Sequence, residues 1–374
     1  FELVHGGNQR RLSTGLIEVA RTRAIPSILT LHDYWLVCQR GQMLQPDLTL
    51  CSEPEDIKCA RCLAPYIEPY LVPAPGGLKA SGRLPLRLSQ AARGLVRLVS
   101  RASARVRPPQ AHDRAVEHVR WRTRHVHQVM HQADLLLTPS HFHRAQFVRF
   151  GVDPEQIKVQ YNGMRVEFFA DRRPVTDDAI SGTEGASHTR DVHFCFLGTI
   201  IPSKGVHVLL EAFGGLHDEH ARLDVHGWAP AYEGFPDYAR NLESAADSRV
   251  YFHGGYDNSD VAAILAGADV VVIPSIWNES ASMIAHEAFL ARKPVIASRL
   301  GALAEFVRHE ENGLLFEPRN VADLRAQMAR LLADPTLRDR LARNPGPVRT
   351  VEDQAVELEA IYQDLIRGAA DAVS

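Results

Sequence analysis

The strongest constraint on the fold is an alternation. Through the second half of the chain, short apolar, β-branched runs take turns with stretches whose apolar residues recur at helical spacing. The runs cover residues 193–200, 222–228, 249–256, 268–274, 294–298 and 313–316, and helical spacing marks 204–213, 259–266 and 321–333. Strands that alternate with helices predict a parallel, doubly wound sheet, whose ligand crevice lies at the carboxyl ends of the strands.

Two strand-to-helix junctions on that edge carry the candidate chemistry. After the run 193–200, Gly198 lets a ligand approach the backbone, and Lys204 offers a point charge suited to phosphate. After the run ending at Pro274 come Glu279, Ser280, Ala281, Ser282 and Glu287. Ser280 or Ser282 can cap the following helix, whose first-turn N–H groups attract anions and hydroxyl oxygens. With about 3.6 residues per turn, Glu287 should lie roughly two helical turns beyond Glu279. Two acids so placed suit one elongated ligand, such as a sugar carried on a nucleotide. The spacing alone also fits solvated surface charges, and a single Gly and Lys would fit any solvated loop.

The first half reads similarly. Residues 27–32 form a β-rich run that ends at His32, and 135–138 and 156–161 are further strands around a helix over 142–150. A lone histidine is more often structural, although His32 falls at a strand's carboxyl end. Asn162-Gly163 suits an interdomain turn. A chain of 374 residues exceeds what one core usually supports, so two domains are expected.

Taken together, Leu197-Gly198-Thr199 with Lys204-Gly205, Pro274-Ser275 through Glu287, Gly301 through Glu305 and Asn312 through Phe316 resemble the family 4 retaining glycosyltransferases of the GT-B fold. The resemblance implies an α/β architecture of two Rossmann-like parallel-sheet domains. These are expected at 1–165 and 166–347, with 348–374 a helix that crosses back to the first domain. It also implies roles. Glu287 would hold the donor ribose, Glu279 with Ser280, Ala281 and Ser282 would face the donor sugar, and Lys204 would bind the diphosphate. His32 would sit beside the anomeric centre. No metal is implied for the chemistry, and front-face attack assigns no covalent nucleophile. Thr199 departs from the pattern, since the family commonly has Arg after the strand glycine. The opening Phe1 to His5 resembles a strand from well inside the first domain, and the family's glycine-rich loop has no evident counterpart. The first domain is therefore expected to be truncated.

Three features lie outside this frame. Cys38, Cys51, Cys59 and Cys62 fall within the loop 38–62, the last two as C-x2-C. They fit a structural zinc site, free buried thiols or, least well in an expected reducing compartment, disulfides. Cys195 reads as core. Arg93, Arg97, Arg101 and Arg105 recur every four residues in a basic insertion, 79–107, consistent with an amphipathic helix on anionic lipid, with a site for an anionic acceptor, or with a solvated helix on its own domain. Residues 171–190 read as a polar surface loop. A net charge of -3 and the absence of interleaved aromatics disfavour nucleic acid, and no run of about 18 apolar residues exists to span a membrane. The expected location is cytoplasmic, with peripheral membrane contact.

The reading is a transferase that moves a sugar from a nucleoside diphosphate donor to a hydroxyl acceptor in glycan, polysaccharide or glycolipid synthesis. The alternatives are a nucleotide-sugar epimerase and a non-catalytic nucleotide-sugar binding module.

Overall fold

The computed structural model describes residues 2–7, 14–71, 109–170 and 191–373. The basic insertion with Arg93 to Arg105 and the polar stretch 171–190 lie outside the described residues.

Two parallel sheets organise the chain. The first contains β1 (Val4–Gly6), β2 (Ser27–Thr30), β3 (Leu135–Thr138) and β4 (Ile157–Val159) in that order. The second contains β5 (Val192–Leu197), β6 (Ala221–His226), β7 (Val250–Gly254), β8 (Val270–Ile273), β9 (Val295–Ser298) and β10 (Gly313–Phe316). Their spatial order is β10-β9-β8-β5-β6-β7. The chain thus winds outward from β5 through β6 and β7, then returns to place β8 on the other side of β5. That reversal opens a crevice between the carboxyl ends of β5 and β8.

Central strands are apolar on both faces because helices cover both. Along β5, Phe194 and Phe196 pack with Leu209 and Phe213 of the helix Val206–Gly214 and with Leu324 and Met328 of Val321–Ala333. Cys195 and Leu197 point the other way, toward Leu265 and toward Ala288 and Phe289 of the helix Met283–Leu290. Fully burying each large apolar side chain stabilises the fold by roughly 1.5–3 kcal/mol. Toward the β7 edge the pattern turns polar: on β6, Asp224 accepts from Arg222 at 2.8 Å and pairs with His253 of the edge strand β7 at 2.6 Å. Such charge on an edge discourages further strand pairing.

The two halves are joined at several points. The helix Val351–Val373 presses Leu358, Ile361, Tyr362 and Leu365 onto Ile28, Leu135 and Leu137 of the first sheet. The chain passes between the halves twice, and the passages lie side by side. Met164 N donates to Arg349 O at 2.8 Å, and Val351 N donates to Met164 O at 3.2 Å. Trp277, which follows β8, is 7% exposed and packs into the core of the first half beside Tyr34. Among the described residues no helix is long and apolar enough to cross a membrane.

Candidate active site

The site forms where the chain reverses. After β5, Gly198 and Thr199 lead into a 3-10 turn, Pro202–Lys204, rather than directly into a helix. The expected helix over 204–213 is therefore split. Gly205 has a φ of 72°, and the Val206–Gly214 helix starts only after it. A Cβ at Gly205 would lie 1.9 Å from the carbonyl oxygen of Pro274, so only glycine lets the two strand ends touch. Ile276 N then donates to Ser203 O at 2.9 Å, which fixes the turn carrying Lys204 against the loop after β8.

That contact brings two predicted residues together. Lys204 Nζ lies 2.7 Å from Glu279 Oε1, and Ser275 Oγ donates to the same oxygen at 2.6 Å. Glu279 is buried, at 5% exposure, so its charge depends on these partners. Below it, Ala302 N donates to Glu279 O at 3.0 Å.

Ser280 carries the site across to the other half. Its Oγ donates to the backbone oxygen of His32 at 2.5 Å, while Ser140 Oγ donates to Ser280 O at 2.7 Å. Ser282, not Ser280, caps the helix Met283–Leu290, accepting from Ala285 N at 3.3 Å. Ala281, partly buried, links the two serines. His286 Nδ1 donates to Ser282 O at 2.8 Å, and burial lowers its pKa. The helix therefore begins four residues after Glu279. Glu287 lies in its second turn, so the separation of the two acids is part loop and part helix, not two helical turns.

Glu287 makes no bond to the Lys204–Glu279 pair. Burial raises its carboxyl to about 7, and burial, with a lesser contribution from the Glu287 charge, pushes the half-buried Tyr256 phenol up to about 12. Among the described residues its carboxylate has no protein hydrogen bond or ion pair, an arrangement that leaves it available to ligand hydroxyls.

His32 stands two residues beyond β2. Its ring reaches solvent at the cleft, yet the walls displace enough water to lower its pKa, with Asp33 opposing the shift. A Cβ at Gly7 would lie 3.7 Å from His32 Nε2. A glycine thus borders the histidine, and the Gly6-Gly7 pair at the end of β1 is the sequence signal that could have marked it. Deeper in the first half, His143 is fully buried, which pushes its pKa down to about 3. Thr199 offers its carbonyl to Ile201 N at 3.0 Å.

Other contributors escaped the sequence reading. Glu305 accepts from His141 N at 3.1 Å, from Phe142 N at 2.9 Å and from the Tyr161 hydroxyl at 2.9 Å. It caps the helix His141–Arg149 of the opposite half, whose free N–H groups favour an anion. Gln42 Nε2 donates to Ser203 Oγ at 3.2 Å, and Tyr232 OH donates to Gln42 Oε1 at 2.9 Å, closing the cleft on another side.

The chain is similar to several known proteins. The D-inositol 3-phosphate glycosyltransferase of Corynebacterium glutamicum is 30% identical over 230 residues, 58% of this chain and 54% of that protein. The glycogen synthase of Mycobacterium tuberculosis is 30% identical over 230 residues, 59% of this chain and 52% of that protein. The chain spans about half the length of these curated relatives. Among solved structures, the sucrose-phosphate synthase of Thermosynechococcus elongatus aligns with a TM-score of 0.56 at 19% identity, covering 98% of this chain and 96% of that one. Anabaena HepE in complex with UDP-glucose gives 0.52 at 18% identity, over 99% and 98%. The fold is the two-domain α/β arrangement of GT-B glycosyltransferases. Residues 183–345, which contain Lys204, Glu279 and Glu287, match the family described as glycosyl transferases group 1.

Proposed function

We propose that this protein is a retaining glycosyltransferase that moves a sugar from a nucleoside diphosphate to a hydroxyl acceptor in glycan, polysaccharide or glycolipid synthesis. The observation that carries this reading is the meeting of Lys204 and Glu279 at the reversal between β5 and β8, roofed by the His32 segment. The donor diphosphate would take over Lys204, exchanging one anionic partner for another. Lys204 and the amides at the start of the helix Met283–Leu290 would then stabilise charge developing on the leaving diphosphate. Glu279, released from the lysine but still bonded to Ser275, would accept from a sugar hydroxyl. Glu287 would receive the ribose hydroxyls, and His32 would border the reacting carbon. Thr199 supplies no second cation, so backbone donors carry more of the diphosphate.

Location is proposed as cytoplasmic. Arg93, Arg97, Arg101 and Arg105 would provide contact with anionic lipid.

Calorimetric titration with UDP, GDP and ADP, followed by transfer assays with the matching sugar nucleotides, tests the reading. UDP comes first, because the similar fold of HepE is known with UDP-glucose. Tenfold or greater loss of nucleotide affinity is expected in both Lys204→Ala and Glu287→Ala. Wild-type affinity in both variants would overturn the assignment. The product should keep the donor's anomeric configuration, read by proton NMR, and an inverted product would reject the retaining course.

A further inference from the structure

We infer that Cys38, Cys51, Cys59 and Cys62 form a tetrathiolate zinc site that fixes the 38–62 segment behind the cleft wall. The four thiols line one cavity of about 40 Å³, room for an ion and far too small for a sugar or nucleotide. Three chain segments deliver them. Cys38 ends a turn in which its N–H donates to Tyr34 O at 2.6 Å, and Cys51 N donates to Met43 O at 2.8 Å. Cys59 and Cys62 lie on the helix Asp56–Leu71, where a spacing of three places both on one face.

The surroundings complement bound zinc. Four thiolates around a divalent cation leave about two net negative charges. Arg40, Lys58 and Arg122 line the same cavity, and no carboxylate does. Arg122 donates to Leu36 O at 3.4 Å and to Trp35 O, so it links the cysteine cavity to the cleft wall. Glu55 N donates to Cys59 Sγ at 3.4 Å, the kind of outer bond that orients a sulfur ligand. The mutual proximity of the thiols shows in their electrostatics, since Cys38, Cys51 and Cys59 each act on Cys62.

The thiols are free as placed, and among the described residues no group of three or more His, Cys, Asp or Glu already stands at metal-binding separation. Zinc would gather them by rotation of the cysteine side chains around the shared cavity. The binding free energy of a structural zinc ion outweighs such rotamer changes.

The test uses the full chain, purified reduced and without chelator from zinc-supplemented medium. Elemental mass spectrometry should find about one zinc per chain. Exchange with Co2+ should give the intense thiolate-to-cobalt absorption of a tetrahedral sulfur site. Zinc content should fall at least tenfold in Cys59→Ser and stay unchanged in Cys195→Ala. The cobalt spectrum needs no variant, so it decides the matter even if Cys59→Ser fails to fold. Substoichiometric zinc with no cobalt–thiolate absorption overturns the inference, as does iron or a pair of disulfides in place of zinc. The metal readouts are independent of glycosyl transfer, so failure of one proposal leaves the other standing.

Discussion

Lys204 Nζ and Glu279 Oε1 stand 2.7 Å apart, joining the loop after β5 to the loop after β8. The lysine is thereby held, paired, at the place where an anionic ligand would enter. Glu279→Gln removes its competitor. Affinity for a nucleoside diphosphate should be retained or rise in this variant, while sugar transfer should fall at least tenfold, about 1.4 kcal/mol in barrier. Calorimetry with the diphosphate and initial-rate assays with the sugar nucleotide separate the two effects. Weakened diphosphate binding would contradict the exchange.

Donor binding should depend on pH through Glu287. Its carboxyl titrates at about 7 in the fold against 4.5 when unperturbed. Below pH 7 it is largely protonated, so affinity for the nucleotide should drop by up to tenfold per unit on going from pH 7 toward pH 5.5. Glu287→Gln should flatten that slope in calorimetric titrations across this range.

The same residue links function to stability. An acid whose folded pKa lies above its unfolded value favours the fold when protonated, and that contribution is lost as pH rises from about 4.5 through about 7. The unliganded Glu287→Gln protein should therefore be more stable than the parent at pH 8, by roughly 1–2 kcal/mol. The difference should vanish near pH 4. Denaturant unfolding at the two pH values measures it.

Gly205→Ala should be strongly destabilising. The new methyl would meet the Pro274 carbonyl, and the backbone there has positive φ. A loss of about 2–4 kcal/mol follows from strain plus displacement of a packed strand end. Thermal unfolding reads the loss, and nucleotide affinity should fall with it because Lys204 moves.

Glu305→Ala should loosen the approach of the two halves. Three donors from His141, Phe142 and Tyr161 lose one shared acceptor. Amide exchange at residues 141 and 142 should accelerate at least tenfold, with little change in the β5–β10 core.

Much of this fold was legible because its strands are local signals. The runs 135–138 and 313–316 and the helix 321–333 appear where their apolar pattern places them. The helix Pro109–Gln132 is not among the expected elements: its apolar stripe, Val116, Val119, Val126 and Met130, is diluted by the Arg and His residues around it. At the site, Lys204, Glu279 and Ser282 were readable from junction chemistry. The break at Gly205 was not, because the Pro274 carbonyl that demands glycine lies far away in sequence. Glu305 and Trp277 act on the opposite half, through partners that only the folded chain supplies. The place of Glu287 in the second helical turn depended on which serine caps.

The paired passages between the halves set what motion is allowed. Met164 is bonded to both Arg349 and Val351, so neither passage can stretch without dragging its neighbour. Pulling the halves straight apart would break this lacing, whereas swinging them about an axis through it would not. A ligand that entered by turning the halves about this lacing would leave its two bonds intact, while the Ser280–His32 and Glu305–Phe142 contacts across the cleft would have to part.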